Sequence, residues 1–495
     1  MRTSLMNCKH LKKVFFILFI ALFAKQGTAL AQDANKDFKQ IDARPIPKWW
    51  TDAKFGIFIH WGPYSVPAFS KVGEYSEWYW RDLRDTSRVS HKELKAFHDK
   101  NYGEGYTYPD FVTDFKAEMF DADQWASIME ASGAKYVVLT SKHHDGYTLW
   151  PSKEAEMSWG RPWSSTNTGP MRDLVGELTN AVNKTSMKMG LYYSLYEWYN
   201  PLYTSDVDLF VEKHMFPQFK DVVTNYKPEV IFSDGEWEHP YTTWKSDKLL
   251  TWLYNESPVK ETVVINDRWG KDTRHHHGGY YTTEYGSGLN TDKAWEENRG
   301  MAHSFGYSRT ENLSDYNSSQ QLTYMLIDIV SRGGNFLLDI GPTADGRIPV
   351  IMQERLKDVG DWMAVNGEAI YGTTPYKTSC QWTEGTVADA KRGRYKVKYD
   401  IMKLTVNPDK GFATKEIFFT QKGKNLYATC PIFPDKALII KDLKLSNDSE
   451  ITLLGMKDKL DWKQDGKNVE VIMPMTNPSK MPSKFASTFK ITNIK

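Results

Sequence analysis

Six short apolar runs, most of which end in polar or aromatic residues, constrain the fold of this chain more than any other feature. The runs are Phe55–His60, Tyr136–Lys142, Met189–Ser194, Val230–Asp234, Val263–Asp267 and Phe336–Ile340. Between them lie helical patterns, such as Trp125, Ile128 and Met129 at positions i, i+3 and i+4. Strands that alternate with helices pair in parallel, and this many units over about 300 residues favours a closed barrel. We therefore expect an α/β fold, a (β/α)8-like TIM barrel, with two of its eight strands not identified from the pattern.

The pattern changes after Tyr376, where short strand-like runs are separated by Gly, Asn, Asp and Lys turns. These runs are Tyr395–Tyr399, Glu416–Thr420, Leu426–Thr429, Ala437–Ile440, Glu450–Leu454 and Val469–Met473. No long helical period interrupts them, which is typical of an antiparallel β-sandwich. We therefore expect the barrel to occupy residues 32–376 and a C-terminal β-sandwich to occupy residues 377–495.

The first 31 residues have the composition of a secretory signal peptide. A basic region with Arg2, Lys12 and Lys13 precedes the apolar run 14–24, and small residues lead up to Ala31. The run is too short to span a bilayer comfortably, and no later stretch approaches the roughly 20 apolar residues of a membrane span. We expect export to the periplasm or the medium with cleavage after Ala31, and an uncleaved signal anchor is the alternative.

The balance of charge indicates a neutral partner. Lys and Arg number 63 against 62 Asp and Glu, a net charge of +1, so no overall field draws the protein to nucleic acid or to an acidic membrane. Aromatic residues make up 14% of the chain, which fits either a large packed interior or stacking on sugar rings. No phosphate-binding glycine loop is present, and we expect no cofactor.

Neither the cysteines nor the histidines form a metal-binding pattern. Cleavage after Ala31 leaves Cys380 and Cys430, whose spacing does not decide whether they pair. His143 and His144 are adjacent, and neighbours on a strand point to opposite faces with no third ligand placed by spacing. We therefore expect no metal site.

One strand end carries the strongest chemical signal. Residues 230–237 read V-I-F-S-D-G-E-W, so a buried run leads to Asp234 and Gly235 then turns the chain. The carboxyl ends of parallel barrel strands meet on one concave face, which we call the cup, and polar strand ends converge there. Histidines, tyrosines, an arginine and carboxylates in such a cup suit a neutral polyhydroxylated ligand. The D-G pair is also a common turn, so this motif alone does not establish catalysis.

Six motifs in order resemble those of the α-L-fucosidases, family 29 of the glycoside hydrolases. They read A-K-F-G-I-F-I-H-W-G at 53–62, E-W-Y at 77–79, K-H-H-D-G-Y at 142–147, S-D-G-E-W at 233–237, N-D-R-W-G at 266–270 and G-G-N-F-L-L-D-I-G-P at 333–342. The resemblance covers roughly residues 45–375. It implies retaining hydrolysis of a terminal α-linked L-fucose of an oligosaccharide or glycoconjugate.

The resemblance also implies roles for the carboxylates. Asp234 matches the nucleophile of the family. Glu284, in T-T-E-Y, resembles the acid/base of bacterial members, whereas Glu296, in A-W-E, is the alternative acid/base. Glu297 and Glu77 are weaker candidates for that role. The region after Arg268 is the most variable part of the family, so the position of the second carboxyl stays open at this point.

The remaining matched positions resemble the fucose pocket. Hydroxyl-binding and packing residues implied by the family are His60, Glu77, Trp78, His143, His144, Tyr193, Phe232, Arg268 and Phe305. Many relatives carry Trp where this chain has Phe232, so an indole N–H is lost there. Two other functions remain open: a sugar-binding protein without catalysis, which would not need both carboxylates, and a glycosidase of different sugar specificity, which would change the hydroxyl-binding residues. The sequence contains no motif that specifies the fucosyl linkage or the oligomeric state.

Overall fold

The computed structural model describes residues 38–387, 399–474 and 480–494. The predicted signal peptide and most of the predicted strand Tyr395–Tyr399 lie outside these ranges. Within them, no helix combines the length and the apolar character that crossing a membrane requires.

Eight parallel strands form one curled sheet, which confirms the predicted barrel. The strands are β1 Phe55–Ile59, β2 Tyr136–Lys142, β3 Lys188–Ser194, β4 Val230–Asp234, β5 Val264–Ile265, β6 Tyr281–Glu284, β7 Trp295–Gly300 and β8 Asn335–Ile340. Their order in the sheet is β5-β4-β3-β2-β1-β8-β7-β6. Because all are parallel, their carboxyl ends share one face, where the cup is expected.

The sheet closes at one short seam between β5 and β6. Asn266 and Tyr280 form a single parallel bridge there. The amide of Gly279 donates to Asn266 O at 3.0 Å, and the amide of Tyr280 donates to Ile265 O at 3.0 Å. These few hydrogen bonds convert an open sheet into a barrel.

Helices surround the barrel but are absent from two connections. The α-helices are Lys48–Ala53, Tyr79–Arg84, His91–Asn101, Tyr108–Asp114, Ala122–Ala131, Lys153–Trp159, Leu174–Val182, Pro201–Ser205, Val207–Phe210, Phe216–Tyr226, Tyr241–Trp244, Ser246–Asn255, Ser319–Ser331 and Val350–Asn366. Residues 266–280 and 285–294, both fully described, contain no helix. The β5–β6 and β6–β7 connections are therefore loops, and the strands missing from the sequence prediction are β6 and β7.

Side chains alternate between two apolar layers along each strand. On β1, Ile57 and Ile59 point outward to the helices, whereas Phe58 points into the barrel. The interior layer also contains Tyr136, Tyr192 and Phe232, which closes the barrel below the cup. Full burial of each such side chain contributes roughly 1.5 to 3 kcal/mol.

The C-terminal strands form two antiparallel sheets around a second core, which confirms the predicted β-sandwich. They are β9 Thr374–Trp382, β10 Lys415–Lys422, β11 Asn425–Cys430, β12 Ala437–Ile440, β13 Ile451–Leu453, β14 Lys459–Leu460, β15 Trp462–Asp465, β16 Asn468–Ile472 and β17 Ser487–Ile491. One sheet has the order β14-β13-β17-β11-β10-β9 and the other β12-β16-β15. Cys380 and Cys430 are free thiols. Lys415 of β10 pairs with the buried Asp328 on the barrel helix Ser319–Ser331.

Candidate active site

Asp234 ends β4 at the floor of the cup. Its Oδ1 accepts a hydrogen bond from Arg268 Nη1 at 2.8 Å, and its Oδ2 accepts one from the Tyr192 hydroxyl at 2.9 Å. Gly235 follows with φ of 76°, and a Cβ there would meet the Tyr196 ring at 2.3 Å. The sharp turn that presents the carboxylate therefore requires glycine.

Arg268 joins Asp234 to a second carboxylate. Its Nη2 lies 3.3 Å from Glu284 Oε2, at the end of β6, and its Nε donates to Thr282 Oγ1 at 3.0 Å. The Tyr75 hydroxyl donates to Glu284 Oε1 at 3.1 Å. The Asp234 side chain is 12% exposed and the Glu284 side chain 29%, so Glu284 is the more accessible of the two to an incoming group.

The electrostatics keep Asp234 ionised. Burial alone would raise its pKa, but the charge and hydrogen bond of Arg268 hold the pKa below its ordinary value. Nearby Glu236 behaves differently, because burial outweighs its ion pair with Arg274, 3.0 Å away, and raises its pKa to about 7. The cup therefore keeps one carboxylate ionised beside another whose pKa lies near neutrality.

Three histidines line the cup as neutral rings. Burial lowers the pKa of His60, His143 and His144 well below the ordinary value, and neighbouring histidines lower it further. Ser194 donates its only hydroxyl hydrogen to Tyr196 O at 2.6 Å, so His144 Nδ1, 2.6 Å from Ser194 Oγ, is the donor of that pair. His144 Nε2 is then an acceptor, and it lies 3.5 Å from Asp234 Oδ2.

His60 and His143 differ in the hydrogen bonds that their ring nitrogens make. His60 Nδ1 pairs with the buried Asp339 Oδ1 at 2.6 Å. His143 Nδ1 is buried and has no hydrogen-bond partner within the described ranges. A buried ring nitrogen without a protein partner suits a hydrogen bond to a ligand.

Aromatic side chains form the wall and the floor of the cup. Trp78 lies 6.2 Å from Trp237 in a stacked arrangement and 5.1 Å from Trp198. Phe305 stacks on His60 at 4.9 Å, and Phe232 lies under the Arg268 guanidinium at 4.9 Å. Trp237 is 38% exposed, so the wall continues to the rim of the cup.

Glu77 is buried and supports the loop that carries Phe305. Its Oε2 accepts from the Gly306 amide at 2.9 Å and from Ser304 Oγ at 3.3 Å. Burial raises its pKa to about 8, although these hydrogen bonds oppose the rise. Glu77 therefore holds a loop at the rim rather than reaching into open solvent.

Tyr193 does not face the cup, which corrects its predicted role in ligand binding. Its hydroxyl donates to Gln218 Oε1 at 2.8 Å and its ring packs against Phe219, both on the helix Phe216–Tyr226. Adjacent strand residues point to opposite faces, so Tyr192 takes the inward position. The tyrosine that contacts Asp234 is therefore one residue earlier than predicted.

Glu296 lies at the opposite end of the barrel from the cup, which corrects the alternative assignment of the acid/base. It is the second residue of β7, is fully buried, and accepts a hydrogen bond from Tyr136, the first residue of β2. Its pairing partners across the sheet are Thr282 and Asn335, and Asn335 begins β8. A group at the amino ends of the strands cannot protonate a leaving group in the cup.

Burial of Glu296 predicts a measurable pH dependence of stability. Burial raises its pKa to about 8, opposed by the Tyr136 hydrogen bond, whereas an unfolded glutamate ionises near pH 4.3. Between these values the folded state binds the extra proton, so the contribution of Glu296 to stability falls as pH rises. We expect Glu296→Gln to remove this cost, gaining up to about 1.4 kcal/mol per pH unit relative to wild type from pH 5 to 8. Urea unfolding across that range measures it, and parallel pH curves for the two proteins would contradict it.

Four residues of the site escaped the sequence prediction: Tyr75, Tyr192, Glu236 and Arg274. Tyr192 could have been found by counting inward positions back from Ser194, the end of β3. Glu236 stands two residues after Asp234, just beyond the D-G pair, and the sequence motif assigns it no role. Arg274 and Tyr75 lie on loops, and no periodicity connects a loop residue to the site it reaches.

Comparisons with protein-family models match this chain in two segments. Residues 21–368 match the model described as alpha-L-fucosidase. Residues 409–492 match the model described as alpha-L-fucosidase C-terminal domain.

Curated relatives are similar along nearly the whole chain. An alpha-L-fucosidase of Dictyostelium discoideum is 39% identical, over 97% of this chain and 99% of the relative. The tissue alpha-L-fucosidase of Homo sapiens is 38% identical, over 100% of each chain. The crystal structure of a Thermotoga maritima alpha-fucosidase with a mechanism-based inhibitor has a TM-score of 0.73 and 31% identity, over 92% of this chain and 98% of that one.

Proposed function

The chain belongs to the α-L-fucosidase family of glycoside hydrolases, and from this premise we propose a retaining, exo-acting α-L-fucosidase with Asp234 as nucleophile and Glu284 as acid/base. One observation carries the assignment of the pair. The Arg268 guanidinium contacts both carboxylates, at 2.8 Å and 3.3 Å, which holds them on one side of one small site. A retaining enzyme needs its two carboxyl groups about 5 to 5.5 Å apart.

In the first step Asp234 attacks the anomeric carbon of the fucosyl residue. Its ionised state, maintained by Arg268, gives it the electron pair for the bond to carbon. Glu284 donates its proton to the glycosidic oxygen, so the aglycone leaves as a neutral alcohol. The product of this step is a covalent fucosyl ester on Asp234 and an ionised Glu284.

In the second step water hydrolyses the ester. The ionised Glu284 takes one proton from a water molecule, whose oxygen attacks the anomeric carbon. The bond to Asp234 breaks, the carboxylate regains its charge beside Arg268, and Glu284 is protonated again. Two inversions at the anomeric carbon give net retention of configuration.

The histidines and aromatic residues support recognition of fucose. Neutral His60, His143 and His144 offer acceptor nitrogens that a charged imidazolium would lack, and sugar hydroxyls donate to such acceptors. A sugar lacking the matching hydroxyl leaves a buried nitrogen unpaired and is disfavoured. Trp78 and Phe305 supply apolar faces for the methyl group and the C–H face of the ring.

The stereochemistry of the released sugar tests the mechanism. We expect the purified chain to release α-L-fucose first from an aryl α-L-fucoside, observed by proton NMR before mutarotation, because double displacement retains configuration. Release of β-L-fucose first would refute the retaining mechanism. Failure to release fucose from aryl fucosides and from fucosylated oligosaccharides would refute the activity and favour a sugar-binding function.

The N-terminal pattern supports export. A basic region, an apolar run and small residues before Gln32 are what a signal peptidase substrate requires. We propose cleavage after Ala31 and a fucosylated glycan outside the cytoplasm as the substrate. N-terminal sequencing of the exported protein tests the cleavage site, and a chain that keeps residues 1–31 would indicate an anchor.

A further inference from the structure

The chain around Glu284 lacks the support that barrel strands usually receive. The strand β6 has four residues, and a loop rather than a helix follows it. Tyr285, directly after Glu284, has φ of 48°, which is unfavourable for a residue with a side chain. Such a conformation persists only where surrounding contacts determine it.

Glu297 supplies contacts on both sides of Glu284. Its Oε2 accepts a hydrogen bond from Thr283 Oγ1, one residue before Glu284. Its Oε1 accepts from the Gly286 amide at 2.8 Å, two residues after Glu284. Thr283 and Glu297 are paired across β6 and β7, and both side chains lie on the outer face of the barrel. The carboxylate therefore fixes the backbone that carries Glu284 without entering the cup.

Arg299 completes this arrangement. Its Nη2 donates to Gly286 O at 2.8 Å and to Glu297 Oε1 at 3.1 Å, so both polar groups of the Gly286 backbone are held. The guanidinium lies over two tyrosine rings, 5.7 Å from Tyr285 and 5.3 Å from Tyr399. Arg299 is 5% exposed, so water competes little for these contacts.

Tyr399 connects the pair to the rest of the molecule. Its hydroxyl donates to Asp328 Oδ2 at 2.6 Å, and Asp328 also binds Arg332 at 2.7 Å and Lys415 of the C-terminal sandwich. Tyr399, from the C-terminal part of the chain, thus packs on Arg299 beside the β6–β7 connection, which contains no helix. The support for the Glu284 loop extends across both parts of the protein.

We propose that Glu297 and Arg299 are positioning residues that set the orientation of the Glu284 carboxyl toward the leaving group. This inference rests on the proposed role of Glu284 as acid/base. Glu297 acts through the Thr283 hydroxyl and the Gly286 amide. Arg299 acts through the Gly286 carbonyl and the Tyr285 ring, so both act on the loop from outside the cup. In this proposal Glu297 is not the acid/base itself but positions Glu284, the proposed acid/base.

Leaving-group dependence distinguishes positioning from a general structural role. Aglycones of high pKa need protonation by Glu284, whereas a dinitrophenolate leaves without it. We expect Glu297→Gln to lower kcat/KM for phenyl α-L-fucoside roughly 10- to 100-fold and for the dinitrophenyl fucoside much less, because small misplacement of an acid is costly. Arg299→Lys, which keeps the charge but loses the bidentate fork, is expected to change both substrates in the same direction by a smaller factor.

The matched control is Glu296→Gln, an identical substitution at the neighbouring residue that points into the barrel. It is expected to leave the leaving-group dependence unchanged. Equal losses on both fucosides in Glu297→Gln and in Arg299→Lys, or a wild-type dependence in both, would overturn the positioning role.

The Glu284→Gln variant distinguishes the acid/base role of Glu284 from the positioning role of Glu297 and Arg299. If it shows strong leaving-group dependence while Glu297→Gln does not, only the positioning role is wrong. If Glu284→Gln itself shows no dependence, the acid/base assignment fails and the positioning role fails with it. Melting temperatures measured in parallel confirm that each variant is compared in its folded state.

Discussion

An Asp234→Ala variant is expected to release fucose at least roughly 10⁴-fold more slowly than the wild type. Alanine has no electron pair to bond the anomeric carbon, so the covalent intermediate cannot form. The Arg268 guanidinium, 2.8 Å from Asp234 Oδ1 in the wild type, would also lose its principal partner. The measurement is kcat on an aryl α-L-fucoside, because an activated aglycone makes residual turnover detectable.

Azide identifies the cause of that loss. In Asp234→Ala a small anion can occupy the space of the missing carboxylate and attack the anomeric carbon directly. We expect partial recovery of turnover and a fucosyl azide of inverted, β configuration. Residual activity near the wild-type level, or an α-configured azide, would show that Asp234 is not the nucleophile.

A Glu284→Ala variant is expected to lose about 10²- to 10⁴-fold in kcat/KM on substrates with poor leaving groups. The first step then lacks its proton donor and the second lacks its base. Tyr75 and Arg268, which hold the two Glu284 oxygens at 3.1 Å and 3.3 Å, carry no carboxyl group that could replace it. Steady-state kinetics on phenyl and dinitrophenyl fucosides measure the difference.

Azide gives the opposite stereochemistry in this second variant. Asp234 still forms the fucosyl ester from an activated substrate, and azide then attacks the ester without needing a base. The expected product is a fucosyl azide of retained, α configuration. A fully active Glu284→Ala enzyme would move the assignment to another carboxyl beside Asp234, such as Glu236, rather than to Glu296.

Much of the barrel could be predicted because six of its strands are apolar runs between helical patterns. The two strands that were missed read Y-T-T-E and W-E-E-N-R-G. Glu297 and Arg299 face outward on β7, where strands of this fold usually carry apolar side chains for a covering helix. They pair with each other, and the Arg299 guanidinium lies over the Tyr399 ring, so the hydrophobic pattern of a buried strand is absent from the sequence.

Within the cup, strand ends could be predicted and side-chain directions could not. Asp234, His60 and Arg268 follow apolar runs, and the structure brings them together. The family resemblance predicts Tyr193 as a ligand-binding residue, but a motif does not state which of two neighbours faces inward. The alternation of side chains along β3 decides which of the two tyrosines points into the barrel. It can be applied once the last inward-facing residue of the strand is known.

The distance between the two proposed catalytic carboxylates depends on the seam between β5 and β6. Asp234 lies on β4 and Glu284 on β6, so the proposed nucleophile and acid/base stand on opposite sides of a junction made by one bridge and a strand of two residues. Local opening needs less free energy where few backbone hydrogen bonds must break. An opening of this seam would separate the two carboxylates while β1 to β4 stay paired. The distance between the two carboxylates, on which retention or inversion depends, is therefore tied to closure of the barrel, and Arg268 contacts both groups across the seam.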